Sequence, residues 1–260
     1  MTFAAVGETD IWYEQTGQGV PLVLITGLGG TTAFWQKAEG LLGDRFRLIT
    51  LDNRGSGRTK YAGPFTVPDL ANDLAGLLDC LGLCSVHVLG WSLGSHIALD
   101  FAARYPKQIR SLTLVSAYRY RPARAAYILD GLAREYAAGK TSAATVDRTL
   151  NLLLHPEGYF ERMEHESKAV RLPPLPTPQG LLDQLRAVDT YDASTAARRL
   201  TVPTLSIHGT EDIMVEPREG DALADLIPGC ARLRVPGEGH VLRPETYLPE
   251  ASHFVLAHQC

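Results

Sequence analysis

Val86-His87-Val88-Leu89-Gly90-Trp91-Ser92-Leu93-Gly94-Ser95-His96-Ile97-Ala98-Leu99 is the stretch on which the fold turns. A short β-branched, apolar run ends at Gly90, Ser92 follows, and Gly94 opens an amphipathic segment. The pattern reads as strand, sharp turn and helix, with Ser92 at the apex. The two glycines carry no Cβ, so strand and helix can crowd beneath a turn that bulkier residues would block. Such a turn holds its serine in a strained backbone conformation, beside the first unpaired N–H groups of the new helix. Those N–H groups favour nearby negative charge. The Gly-x-Ser-x-Gly spacing is weak by itself. The strand before it and the helix after it make Ser92 a candidate nucleophile.

Outward from this stretch the chain alternates between strands and helices. Residues 3–6 and 11–14 read as a hairpin across Gly7-Glu8-Thr9-Asp10. Residues 21–25 form a continuous apolar strand, the kind buried on both faces of a parallel sheet. The loop Thr26-Gly27-Leu28-Gly29-Gly30 leads into a helical pattern with Phe34, Trp35, Ala38, Leu41 and Leu42 on one side. A strand over 46–51, the turn cluster Asp52-Asn53-Arg54-Gly55-Ser56-Gly57-Arg58 and a helix from about 69 to 81, with Pro68 in its first turn, come next. After the Ser92 turn, a helix ends near Tyr105 and a strand runs over 111–116. This alternation with short connections implies a parallel sheet with helices on both faces. From Tyr118 to Asp192 helical periodicity continues without a strand, broken at Leu172-Pro173-Pro174-Leu175-Pro176-Thr177-Pro178. That segment reads as a helical insertion over one end of the sheet. Alternation then resumes with strands at 202–207 and 231–235 and helices at 219–227 and 249–258.

The 260 residues are 45% hydrophobic and 21% charged, ordinary globular composition with ample material for a core. A net charge of −4 without long like-charge runs disfavours a nucleic-acid or anionic-membrane partner, and leaves a small molecule as the expected one. Residues 1–15 carry neither a basic n-region nor an apolar h-region, and no 18-residue apolar run occurs. A cytoplasmic protein is expected. Cys80, Cys84, Cys230 and Cys260 are scattered without a C-x-x-C pair and read as reduced, structural thiols.

With strand, turn, insertion and resumed alternation laid out, the chain resembles the lidded α/β-hydrolases. Within them it is similar to small cofactor-independent esterases and lactonases of the 3-oxoadipate enol-lactonase type, and to aminoacrylate (carbamate-type) hydrolases. The resemblance spans nearly the whole chain, the insertion matching least. It implies an α/β fold with a mostly parallel twisted sheet, a core over 1–117 and 193–260, and a helical lid over 118–192. It also implies the chain order Ser, then Asp or Glu, then His, each on a loop at the carboxyl end of a strand. Asp212, in His208-Gly209-Thr210-Glu211-Asp212, has the Gly-x-x-Asp spacing of the family's acid, with Glu211 as the competing carboxylate. Some members place the acid one strand earlier, where Val115-Ser116-Ala117 offers none. His240, in Pro236-Gly237-Glu238-Gly239-His240, fits the base, although Pro244-Glu245 follows it sooner than is usual in the family. His208 and His96 are the runners-up and read as structural.

In the chemistry these residues imply, His240 takes the Ser92 proton as Oγ attacks a carbonyl carbon, then protonates the leaving group. The backbone N–H groups of Leu28 and Leu93 would receive the oxyanion, with Thr26-Gly27 standing where many relatives have His-Gly. Gly27, Trp91 and Tyr118 are the expected substrate contacts. The resemblance favours a small ester or lactone as substrate. An amide or carbamate, or perhydrolase chemistry on the same residues, is the alternative, and a silent ligand receptor on this fold is the alternative of another class. Ser92 excludes the dehalogenase and epoxide-hydrolase chemistries, which need Asp at the apex. Many C–C hydrolases carry Trp where Val241 follows His240.

No cofactor or metal is expected. Gly27-Leu28-Gly29-Gly30 lacks dinucleotide spacing, and His155, His165, Glu161, Glu164 and Glu166 lack an H-E-x-x-H pattern. The Asp52–Gly57 cluster matches a recurrent turn of the family and reads as structural. Arg119, Arg121 and Arg124 read as a solvated face, with recognition of a substrate carboxylate as the alternative. Tyr118, Tyr120, Tyr127, Leu152, Leu153, Leu154, Tyr159 and Met163 read as packing between insertion and core, or as an apolar pocket wall.

Overall fold

The apolar runs pair into one eight-stranded sheet in a computed structural model, which describes residues 2–166 and 176–259 (without the side chains of 163–166). Its strands are β1 (Thr2–Val6), β2 (Thr9–Thr16), β3 (Val20–Ile25), β4 (Phe46–Leu51), β5 (Val86–Trp91), β6 (Ile109–Val115), β7 (Thr204–Gly209) and β8 (Ala231–Val235). The spatial order is β1-β2-β4-β3-β5-β6-β7-β8. The hairpin β1–β2 is antiparallel and joins β4 antiparallel, while every pairing from β4 to β8 is parallel. The strands β5 and β7 are buried along their whole length, although β5 carries His87 and β7 carries Thr204, Ser206 and His208 among its apolar residues.

Two apolar layers cover the sheet. On one face Trp35, just before α1 (Gln36–Leu42), packs with Leu42 of α1 and with Leu248 and Val255 of α10 (Pro244–Leu256) against Leu24, Leu89 and Ile207. On the other, α2 (Val67–Cys80), α3 (Leu93–Arg104), α8 (Ser194–Arg198) and α9 (Pro217–Ala224) bury Leu74, Ile97, Ala197 and Leu223 against Val23, Val88 and Leu112. Truncating one of the largest of these side chains, such as Trp35 to Ala, costs about 3–5 kcal/mol. Thr66 starts α2 with a reciprocal capping box to Asp69, with Pro68 inside the first turn.

Between β6 and β7 the chain makes α4 (Ala123–Ala137), α5 (Ala143–Leu154), α6 (Glu157–Glu166) and α7 (Pro178–Asp189). Leu129 and Ala133 of α4 and Leu181 and Leu185 of α7 join the same buried cluster as α3. Most of the 172–178 break expected from the prolines lies outside the described residues, as do the side chains of Met163, Glu164, His165 and Glu166, and Cys260. Among the described residues no helix is long and apolar enough to cross a membrane.

Three local readings are corrected. The pattern after Gly30 begins as a short 3₁₀ turn, Thr32–Trp35, so Leu41 rotates outward and is 42% exposed. The last helix starts at Pro244, not 249, because a proline suits the first helical position; Pro249 then sits inside α10 beside buried Leu248 and Ala251. Cys80 and Cys84 are exposed free thiols, not packed ones, and Cys230 is free and half-buried.

Candidate active site

The site grows from the crossing of β5 and α3. A Cβ on Gly90 would collide with the Gly94 carbonyl, and one on Gly94 with the Ile25 carbonyl, so both glycines are required by contact. Ser92 between them has φ 55° and ψ −117°, the strained apex expected of the turn. Its N–H donates to the Val115 carbonyl at 2.9 Å, which fastens the apex to the neighbouring strand.

Loops from two further strands reach this apex. His240, after β8, places Nε2 2.9 Å from Ser92 Oγ and Nδ1 2.7 Å from Asp212 Oδ2, with Asp212 in the loop after β7. Asp212 Oδ1 also accepts the Met214 and Val215 N–H groups at 3.0 and 2.8 Å. Burial alone would raise the Asp212 carboxyl. The His240 charge and the hydrogen bonds from His208 and His240 outweigh it and hold the group below its usual range. Glu211 is exposed, so the structure brings Asp212 and not its neighbour to the imidazole.

The two histidines held in reserve are elsewhere engaged. His208, fully buried, places Nε2 3.1 Å from Asp212 Oδ2 and 2.9 Å from the Val215 carbonyl, and so supports the carboxylate. His96 Nε2 is bonded to the Tyr118 carbonyl, and burial pushes that imidazole down to about 4.

The loop beside the apex is a tight turn. Gly30 N–H donates to the Gly27 carbonyl at 3.1 Å and Gly29 has φ +70°, the signature of a type II turn with Leu28 and Gly29 at its centre. Leu93, the first residue of α3, has an N–H with no intrahelical acceptor. Gly27 lies against Trp91 and Ser92, where a Cβ would come within 3.0 Å of the Ser92 Cβ. Trp91 stacks on Phe34 and donates Nε1–H to the His240 carbonyl at 2.8 Å. The turn cluster at 52–58 braces this loop: Asp52 accepts the Thr32 N–H at 2.8 Å and Asn53 donates to the Thr26 carbonyl at 3.2 Å.

Ser92, His240, Trp91, Leu28, Leu93 and Tyr118 open onto one cavity of about 360 Å³, roofed by α4, α5 and α7. Its walls are chiefly apolar, with Leu129, Leu154, Leu181 and Leu185 among them. Of the expected aromatic wall, Tyr118 and Tyr159 line it, whereas Tyr127 is 85% exposed and Tyr120 and Leu152 also face solvent. Arg124 is exposed as read, but Arg121 is not. Its side chain is 5% exposed and bonds Asp130 at 2.8 Å and Asp189 at 2.5 Å, so it ties α4 to α7. Arg119 lies over the Tyr120 ring. His155 stacks on Tyr159 at the cavity edge, and burial pushes its imidazole down to about 4.

Residues 20–245 match the family model described as the alpha/beta hydrolase fold. The chain belongs to that family. It is 27% identical over 250 residues to a putative carbamate hydrolase, RutD, of Azorhizobium caulinodans, covering 95% of this chain and 94% of that one. It is 30% identical over 239 residues to a putative non-heme bromoperoxidase, BpoC, of Mycobacterium tuberculosis, covering 88% and 90%. A thermophilic esterase from Thermogutta terrifontis superposes with a TM-score of 0.82 at 27% identity, covering 98% and 94%. This chain is thus an α/β-hydrolase whose relatives carry three different activity names.

Sequence reasoning missed two residues that hold the candidate site together. Ser116, also at positive φ (51°), donates Oγ–H to the His240 carbonyl at 2.8 Å. Its signal was its place directly after β6. Gln184 of α7 accepts the Gly29 N–H at 2.7 Å. Its signal was a polar residue inside the apolar stripe Leu181, Leu185, Val188.

Proposed function

We propose that this α/β-hydrolase cleaves small carboxylic esters or lactones through an acyl-enzyme. The observation that carries the reading is the unbroken chain Ser92 Oγ, His240 Nε2, His240 Nδ1, Asp212 Oδ2, with links of 2.9 and 2.7 Å, at the floor of an apolar cavity. His240 accepts the Ser92 proton as Oγ bonds to the carbonyl carbon. The carbonyl electrons move onto oxygen, where the N–H groups of Leu28 and Leu93 would stabilise them; losing one such donor costs about 10²–10³ in rate. As the tetrahedral adduct collapses, the protonated His240 gives its proton to the departing alkoxide. Water then attacks the acyl-enzyme by the reverse route. Asp212 holds the imidazole with Nδ1–H toward the carboxylate and balances its positive charge.

The helices α4 to α7 act as a lid that sets substrate size, with Gly27, Trp91 and Tyr118 at the acyl group. The chiefly apolar lining favours an uncharged substrate, and at the one cavity-lining arginine of the insertion's start, Arg121, the charge is already balanced through Nη2 by Asp130 and Asp189. Carbamate cleavage by the same residues is the second reading, favoured by the relative named as a carbamate hydrolase.

Hydrolysis of a p-nitrophenyl ester series by wild type and Ser92→Ala tests the proposal. Turnover of short acyl chains that vanishes in the variant is expected. Turnover that persists places the chemistry elsewhere. Absence of turnover in both, with carbamates hydrolysed, favours the second reading, and binding without any turnover favours a receptor.

A further inference from the structure

The loop from Thr26 to Thr32 carries Leu28, and it is gripped at its two ends by the core. Asn53 holds the Thr26 carbonyl and Asp52 the Thr32 N–H. Among the described residues the core offers the middle of the loop no such hold. Gly29 is second of the two central residues of the type II turn, and glycine takes positive and negative φ about equally readily. Tied to the core at its ends, the turn can shift between those two anchors, and the Gly27–Leu28 peptide with its N–H shifts with it.

Gln184 supplies the missing hold from the insertion. Its side chain is fully buried, with Oε1 2.7 Å from the Gly29 nitrogen and Nε2 2.8 Å from both the Arg54 carbonyl and Ser56 Oγ. The amide orientation is forced: reversing it would set NH₂ against an N–H and oxygen against a carbonyl. Gln184 reaches this position because Gly180, one turn earlier on α7, crosses Gly55 so closely that a Cβ on Gly180 would collide with the Gly55 carbonyl. Tyr61 fixes the same turn of α7 from the core side through Asp183, at 3.1 Å.

We infer that Gln184 is a positioning residue for the oxyanion site: it anchors the middle of the Thr26–Thr32 loop at Gly29 and so makes the placement of the adjoining Leu28 N–H depend on the docked insertion. The inference rests on the proposed acyl-enzyme reading, with Leu28 as an oxyanion donor. A buried glutamine that only bolted α7 to the 52–58 turn would affect stability and leave the transition state alone.

The test compares Gln184→Met, which fills the volume without hydrogen bonds, with Ser56→Ala, which removes an Nε2 partner and leaves Gly29 untouched. Misplacing a reacting-site group by about 1 Å can cost about 10²-fold, and a loss of kcat of that order with little change in KM is expected for Gln184→Met. Its affinity for phenylboronic acid, which forms a tetrahedral adduct on the serine, should fall with kcat/KM. Ser56→Ala should lower Tm and keep kcat. Gln184→Leu, which also fills the volume without an acceptor for the Gly29 N–H, should lose kcat to the same extent, and it serves as the test if the methionine variant does not fold. Ser92-dependent turnover with kcat intact in folded Gln184→Met or Gln184→Leu overturns the role of Gln184 alone. Turnover undiminished by Ser92→Ala overturns the acyl-enzyme reading and this inference with it.

Discussion

The floor and the roof of the cavity are built by different means. The floor, around Ser92, Asp212 and His240, is fixed by backbone: crossing glycines, a positive-φ serine, and loops that leave the carboxyl ends of the parallel strands β5, β7 and β8. The roof, α4 to α7, is held by side chains, with Arg121 between Asp130 and Asp189 and Gln184 against the core loops. A backbone-built floor tolerates little change, because its glycines admit no Cβ. A side-chain-built roof can be recut at positions other than Gln184 without disturbing the atoms beneath, which fits relatives that carry carbamate-hydrolase, bromoperoxidase and esterase names.

The sharpest break of this comparison lies in the floor. Ser92→Ala and His240→Ala should each lower kcat by about 10⁶-fold, measured on the best p-nitrophenyl ester, since members of such a unit act together. Asp212→Ala should cost about 10⁴-fold, while Glu211→Ala, at an exposed position, should keep full activity. The reverse pattern would assign the acid to Glu211.

A change in the roof should act on preference. Leu129→Ala on α4 widens the cavity, and the octanoyl-to-butanoyl ratio of kcat/KM should rise about 10-fold. Loss of all turnover, with the fold intact by circular dichroism, would mean that Leu129 does more than set the cavity's size.

The smallest effect concerns stability. His87 and His96 are fully buried, and burial pushes both down from 6.5 to about 4. Below the unfolded value of 6.5 the unfolded chain takes up protons that the two folded rings refuse, so stability falls as pH is lowered toward about 4. Each ring contributes a slope of up to about 1.4 kcal/mol per pH unit. Thermal midpoints across that window should fall less steeply in His87→Gln than in wild type, and equal slopes would contradict the assignment.

The floor was legible in the sequence because its demands fall on residue types. Gly90 and Gly94 are glycines because no Cβ fits, and Asp212 and His240 stand directly after strands. The 3₁₀ start before α1 was not legible, since Leu41 keeps helical spacing and only the tighter first turn exposes it. Roof directions were hidden for a related reason. Tyr118 and Tyr127 are the same residue type, nine positions apart, yet one lines the cavity and the other faces solvent, a difference set by how α4 docks. Arg121 read as surface because its two carboxylate partners come from α4 and, far along the chain, α7.

The central claim is that Ser92 becomes acylated. Intact-mass measurement after incubation with a fluorophosphonate, followed by peptide mapping, tests it most directly. The account predicts a single adduct on the peptide containing Ser92, formed in wild type and absent in Ser92→Ala. An adduct on another residue, or ester turnover in a protein that takes no adduct at Ser92, would contradict it.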